Sequence, residues 1–589
     1  MIRTALSLAL LAVVPAVHAV PDLATVSERS GFQATGRYDE VIRLCADFQK
    51  AYPKAVRCFE FGRTPEGRPM LALAVSKSGA LTADAAKKKN IPVLLVQGGI
   101  HAGEIDGKDA GFLALRHALD GKIAQGTLDK QVLLFVPVFN VDGHERFGKN
   151  NRPNQRGPVE MGWRVTAQNY NLNRDYVKAD APEMQAMLAL VNAWDPLAYV
   201  DLHVTDGAKF EPDVSIQVEP VHAGDEALRV AGTALRDNVI ADLRQQGSDP
   251  KHFYISFAKT DEPQSGFVDE MSGARYSTGY FHLRNRFGML VETHSWKDYP
   301  TRVKITYNTI VSLLNQVAQH GGEWRKAALA ADARTVAMAG QAPGFDFPLS
   351  YKTTDKTQTI DFRGYEYKRV PSDVSGGIWT QYDETKPQLW KVPLRDEIVP
   401  DFVIKAPAAG YLVPAAQAAA VGAKLKQHGV AFKVLSTAPG KVDVEAFRAT
   451  KTKLTPQSFE GHQMLAVEGS WNAEAREVGA GSLFVPIAQP KARLVMTMLE
   501  PQGADSLLAW GMFNTAFERK EYMEEYVAEE VAREQLKDPA VAADFKERLD
   551  NDAEFAKSTH KRLEFFAKRH PSWDERFNLY PVYRTDRKF

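Results

Sequence analysis

Two histidines and two glutamates stand directly after apolar runs of this chain. Ile91 to Gln97 is followed by Gly98-Gly99-Ile100-His101-Ala102-Gly103-Glu104, Leu197 to Leu202 by His203, and Gly288 to Val291 by Glu292. Imidazole and carboxylate are the donors that hold a catalytic zinc ion, three at a time, with a fourth position kept for water. His101 and Glu104, three apart at the start of a helical stretch, can face one ion together, and His203 completes the set. One Zn2+ per chain is the cofactor expected. Glu292 is then a free carboxylate beside a water whose pKa zinc lowers toward about 7, placed to take its proton. Two blander readings compete. His101 would be a hydrogen-bonded core histidine, or Glu292 a buried partner of Arg284 or Arg286.

The spacing His-x-x-Glu is weak by itself, because 14 histidines make roughly one accidental match. His320-Gly-Gly-Glu323 is read as that accident, and His222-Ala-Gly-Asp225 as a near miss of the same kind. What separates His101 and Glu104 is the element before them: a buried strand and a Gly-Gly turn that lets the backbone curl over a sheet edge. Strand-like runs at Ile91 to Gln97, Val132 to Phe139, Leu197 to Leu202 and Gly288 to Val291 alternate with helical stretches at Asp109 to Leu119, Ala181 to Asn192 and Tyr307 to Gln319. That alternation predicts an α/β unit with a mixed, mostly parallel sheet flanked by helices. In such sheets ligands bind at the carboxyl ends of strands, where all four candidate residues collect.

A chain of 589 residues needs more than one core. The expected division is a signal peptide over 1–19, a catalytic unit over 20–325, a β-rich and small α/β region over 340–500 and a helical region over 501–589. Short β-strands are expected over 340–397, then a strand–helix–strand pattern at Phe402 to Ile404, Pro414 to His428 and Phe432 to Leu435, with Gly429 stopping the helix.

Arg3, the apolar run Ala5 to Val14 and the small-x-small triplet Val17-His18-Ala19 read as an export signal cut after Ala19. An uncleaved anchor is the alternative, but the run is shorter than the roughly 20 apolar residues a bilayer needs. A periplasmic or secreted protein with no membrane attachment after signal removal is therefore expected. In an oxidising compartment Cys45 and Cys58 pair as a disulfide, zinc ligation by them being disfavoured for want of a third ligand nearby. Lys+Arg and Asp+Glu balance at 73 each, which argues against nucleic acid as the main partner. No oligomeric state is implied.

At this point the pattern resembles the zinc carboxypeptidase family, the metallopeptidases typified by the digestive carboxypeptidases. The resemblance begins at Gly62-Arg63-Thr64-Pro65-Glu66-Gly67-Arg68 and continues through His101-x-x-Glu104, Asn140-Val141-Asp142-Gly143, Asn171-Leu172-Asn173-Arg174, the strand ending in His203, and Leu290-Val291-Glu292. It covers roughly residues 30 to 325. It implies that Asn173 and Arg174 grip the substrate's terminal carboxylate, as a guanidinium suits. It implies that Arg164 stabilises the oxyanion formed during attack, with Arg152 and Arg156 close enough in sequence to compete for the role. The family's substrate-side tyrosine has two candidates, Tyr276 and Tyr280. Val141 departs from the usual Pro, and His203 follows Glu104 sooner than in the digestive enzymes. The long C-terminal half matches nothing in those short members. The implied activity is a zinc metallocarboxypeptidase acting on peptides with a free C-terminal carboxylate. The alternatives are a carboxypeptidase or amidase of the same fold acting on peptidoglycan stem peptides, and a catalytically silent peptide-binding relative.

Overall fold

The computed structural model describes residues 21–205, 207–252, 256–339, 341 and 344–589. The export signal expected over 1–19 lies outside them.

Eight strands form the sheet that carries the site: β1 (Val56–Arg63), β2 (Pro69–Val75), β3 (Val93–Gly98), β4 (Val132–Val136), β5 (Ala198–Thr205), β6 (Val214–Glu219), β7 (Pro250–His252) and β8 (Phe287–His294), in the order β1-β2-β4-β3-β5-β8-β6-β7. The central run β4-β3-β5-β8 is parallel throughout. Its strands are buried on both faces: every residue of Val93–Gly98 and Val132–Val136 is shielded, which is why they read as unbroken apolar runs. β2 and β6 join antiparallel at the flanks, making the sheet mixed.

Helices α1 (Tyr38–Ala51), α2 (Asp106–Leu119), α3 (Pro182–Trp194), α4 (Glu226–Gln245) and α5 (Tyr299–Met338) flank the sheet, with α2 and α4 both packed on α5. The sequence predicts a helix only over Tyr307 to Gln319, yet α5 has 40 residues. Gly321 and Gly322 look like a stop signal, but Gly321 lies inside the helix, where an added Cβ would come within 3.1 Å of Pro92. Close packing there outweighs the low helix propensity of glycine.

Strands Asp346–Thr353, Gln358–Pro371, Ile378–Arg395 and Ile398–Lys405 follow, two of them 14 and 18 residues long where short ones were expected. Ile378–Arg395 runs parallel to Phe267–Val268 of the N-terminal half, tying the two halves together. A six-stranded sheet contains Gly410–Val413, Lys433–Val434, β9 (Gly440–Leu454), β10 (Leu465–Val478), Leu483–Pro486 and Leu579–Thr585. Its last strand comes from beyond the helices of 525–567, so the end of the chain returns to the sheet of the preceding region. One buried apolar cluster runs without a break from Tyr176 and Tyr280 of the N-terminal half to Leu494, Trp510 and Tyr580 of the other. A disulfide joins Cys45 of α1 to Cys58 of β1.

Candidate active site

Parallel register brings the four residues together. Gly98 of β3 lies opposite Leu202 of β5, and His203 of β5 opposite Glu292 of β8. The chain leaves β3 for β4 on one side and later enters β5 on the other, so the strand ends open at a topological switch point. At Gly98 a Cβ would meet the Pro137 carbonyl at 2.8 Å, and Gly99 has a φ of +63°. Only glycines let the backbone turn there and deliver His101 and Glu104 over the ends of β5 and β8.

His101, Glu104 and His203 are buried, and one ligand atom from each lies within 4.8 Å of the others, so they could hold a metal ion. His101 Nδ1 is 2.9 Å from Glu104 Oε1, and His203 Nδ1 is 2.9 Å from Glu104 Oε2. The opposite ring nitrogens are occupied. His101 Nε2 lies 3.1 Å from Asn171 Oδ1, an atom that also accepts the Asn173 N–H and is thereby identified as oxygen. His203 Nε2 lies 3.0 Å from Asp201 Oδ1, an ion-pair contact off the line of a directed hydrogen bond. With an oxygen facing each Nε2, both rings could keep a proton there and present Nδ1, on the carboxylate side, to a metal ion. Burial holds His101 neutral, its pKa drawn down to about 4. Lone pairs facing a carboxylate repel unless a cation lies between them, so this donor set fits zinc, with Asn171 and Asp201 orienting the ligands from behind.

Glu292 lies at the rim of this cluster, and its Oε2 has no hydrogen-bond partner among the described residues. Its pKa is pushed up to about 8, first by burial, with His203 opposing and Glu104 and Asp201 adding to the rise. A cation on the adjacent ligands would work against that rise and would leave a carboxylate able to take and return a proton. The arginines suggested as partners are elsewhere: Arg286 pairs with Asp195 and Asp332, and Arg284 bonds Tyr280 and Asn192.

A cleft of about 390 Å³ opens over the cluster, lined also by Arg164, Asn173, Arg174 and Tyr276. The Asn-Val-Asp-Gly segment builds one wall. Asn140 Nδ2 donates to the Arg164 carbonyl at 3.1 Å, while Asp142 accepts from Thr64 and Arg68 of the first motif. Arg164 Nη1 is 3.6 Å from Glu104 Oε1. Arg152 reaches the same oxygen at 3.0 Å but is buried behind it, and Arg156 pairs with Glu384 outside the cleft. The Arg174 guanidinium stacks 4.5 Å above the Tyr276 ring.

Tyr280 is corrected by the structure. It is fully buried away from the lining, its hydroxyl donating to His428 Nδ1 at 2.8 Å and accepting from Arg284. His320 lies within α5, stacked on Trp324, and does not line the cleft over the cluster. Asn171 and Asp201 were not singled out from sequence. Asp201 could have been, as a charged residue inside the apolar run two places before His203.

A buried His–Glu–His cluster with a free carboxylate stands at the carboxyl ends of parallel strands in an α/β fold, a donor set that could hold a metal ion. Residues 41–239 match the family model described as zinc carboxypeptidase. The match contains all three candidate ligands and ends before Glu292. Carboxypeptidase 2 of Trichophyton tonsurans is 23% identical over 493 residues, 76% of this chain and 79% of its own. Inactive metallocarboxypeptidase ecm14 of Schizosaccharomyces pombe is 35% identical over 117 residues, 19% of this chain and 22% of its own. Among solved structures, carboxypeptidase A of Helicoverpa armigera aligns over 51% of this chain and 74% of its own, at 16% identity and a TM-score of 0.35. No described helix is long and apolar enough to cross a membrane.

Proposed function

We propose that this protein is an exported zinc metallocarboxypeptidase that removes C-terminal residues from peptides outside the cytoplasm. The observation that carries the reading is Glu292, in register with His203 and with an unpartnered oxygen beside the His101–Glu104–His203 cluster. Zinc held by these three residues supplies Lewis acidity and makes an adjoining water acidic near neutral pH. Glu292 takes the proton from that water as it attacks the scissile carbonyl, and returns it to the departing amine. Arg164, on the cleft wall, faces the negative charge that develops on the carbonyl oxygen. Arg174 and Asn173 bind the terminal carboxylate, and Tyr276 covers the terminal residue.

Digestion of a peptide mixture read by mass spectrometry tests this. Shortening from the C-terminus, abolished by a chelator and restored by zinc, is the expected result. Glu292→Gln should retain zinc while kcat falls by about 10²–10⁴-fold, the range for losing a positioned proton carrier. Zinc uptake with no cleavage of any peptide would make the chain a silent binder. Cleavage confined to muropeptides would move it to the cell wall.

A further inference from the structure

The hairpin β9–β10 of the C-terminal half ends in a tight turn, Phe459-Glu460-Gly461-His462, closed by a bridge between Phe459 and His462. Both central residues have positive φ, 50° at Glu460 and 81° at Gly461. Such a turn favours asparagine or glycine at its first central position, because a side chain there is strained. The chain places a glutamate instead, and that glutamate reaches into the catalytic half.

Glu460 Oε2 accepts the backbone N–H of Asn171 at 3.2 Å. Asn171 is the hinge of the site. Its Oδ1 holds both His101 Nε2 and the Asn173 N–H, opening the short helical turn Leu172–Arg174 that presents Arg174. The same hairpin tip is fastened on either side. His462 Nε2 lies 2.6 Å from Asp180 Oδ2, and Phe459 packs under Arg275, whose guanidinium centre is 5.6 Å from the ring. Arg275 is held in turn by Asp505 of the C-terminal half, 2.7 Å away, and precedes Tyr276, on which Arg174 stacks. Both walls of the carboxylate-binding end of the cleft are therefore anchored by residues more than 200 positions away in the chain.

We propose that Glu460 is a positioning residue of the active site, holding the Asn171–Arg174 turn so that Arg174 meets the substrate's terminal carboxylate. The appended half thereby completes the carboxylate clamp. This rests on the carboxypeptidase reading above.

The test uses the full-length zinc enzyme and a matched pair of peptides, one with a free C-terminal carboxylate and one with a C-terminal amide. The natural enzyme should favour the acid through KM. Glu460→Gly removes the carboxylate and also relieves the positive φ, so its unfolding midpoint should be unchanged or higher. Its KM for the acid should rise about tenfold with kcat within about threefold, as expected for one lost hydrogen bond to a charged acceptor. KM for the amide should not change, and Glu460→Gln, which keeps an acceptor oxygen, should restore most of the loss. An acid KM untouched in Glu460→Gly overturns the proposal. So does a rise that comes with a lowered unfolding midpoint, or one that Glu460→Gln fails to relieve. A natural enzyme that treats acid and amide alike refutes the carboxypeptidase reading itself, and the proposal with it.

Discussion

Asp201 shows how one side chain serves the site without touching substrate. It is fully buried, 3.0 Å from His203 Nε2, and is itself held by Gln97 Nε2 at 2.8 Å. His101 has a neutral partner in the equivalent place, the Asn171 oxygen. The carboxylate makes His203 the more basic of the two imidazoles and fixes which nitrogen would face a metal ion. Replacing Asp201 with Asn should therefore weaken zinc binding by about 10–100-fold, measured by competition with a chromogenic chelator. A variant that holds zinc as tightly as the natural protein would show that the contact is only structural.

Among elements, the placement of α2 depends on a buried ion pair. Arg302 of α5, wholly shielded, directs Nε to Asp106 Oδ2 at 2.9 Å, and Thr293 of β8 donates to the same oxygen at 3.0 Å. Burial raises the pKa of Asp106, with Arg302 opposing the rise. One carboxylate thus joins α2, which follows Glu104, to α5 and to the strand that carries Glu292. Removing one partner leaves a buried guanidinium with only carbonyl oxygens, from Arg156 and Gly157 among them. Asp106→Ala should lower the unfolding free energy by about 3–5 kcal/mol in urea titrations, the cost typical of a broken buried pair. A loss under about 1 kcal/mol would mean that water or a shifted neighbour replaces the carboxylate. The sequence showed where α2 lay, through its apolar spacing. It did not show Arg302 as its partner, 196 positions away, because no local pattern links them.

For the whole molecule, the seam between the two halves predicts how stability follows pH. His428 is fully buried there, accepting from Tyr280 and placing Nε2 2.8 Å from the Val177 carbonyl. Burial draws its pKa down to about 3. As pH falls, the unfolded chain protonates this histidine near about 6.5, while the folded chain does so only near about 3. Between those values folding costs progressively more, up to about 1.4 kcal/mol per pH unit from this residue. His428→Gln, which keeps a donor and an acceptor, should lose about 2–3 kcal/mol less stability than the natural protein between pH about 6.5 and 4.5. Urea midpoints at the two pH values decide it, and parallel losses in both proteins would refute it.

That His101, Glu104, His203 and Glu292 collect at one sheet edge was legible in the sequence because strands β3 and β5 are buried on both faces and β8 nearly so. Such strands need continuous apolar runs, so a histidine or glutamate at their ends stands out against the run. Choosing between Tyr276 and Tyr280 lay beyond the sequence, since they are four residues apart and only packing decides which faces the cleft. Arg152 behind Glu104, Asn171 behind His101 and Glu460 behind Asn171 were hidden for a related reason. Periodicity and spacing encode which face of an element is buried. Which distant polar group meets it across a turn, a seam or a second domain is set by three-dimensional closure of the chain, and contacts between loops far apart in sequence leave no repeating signal.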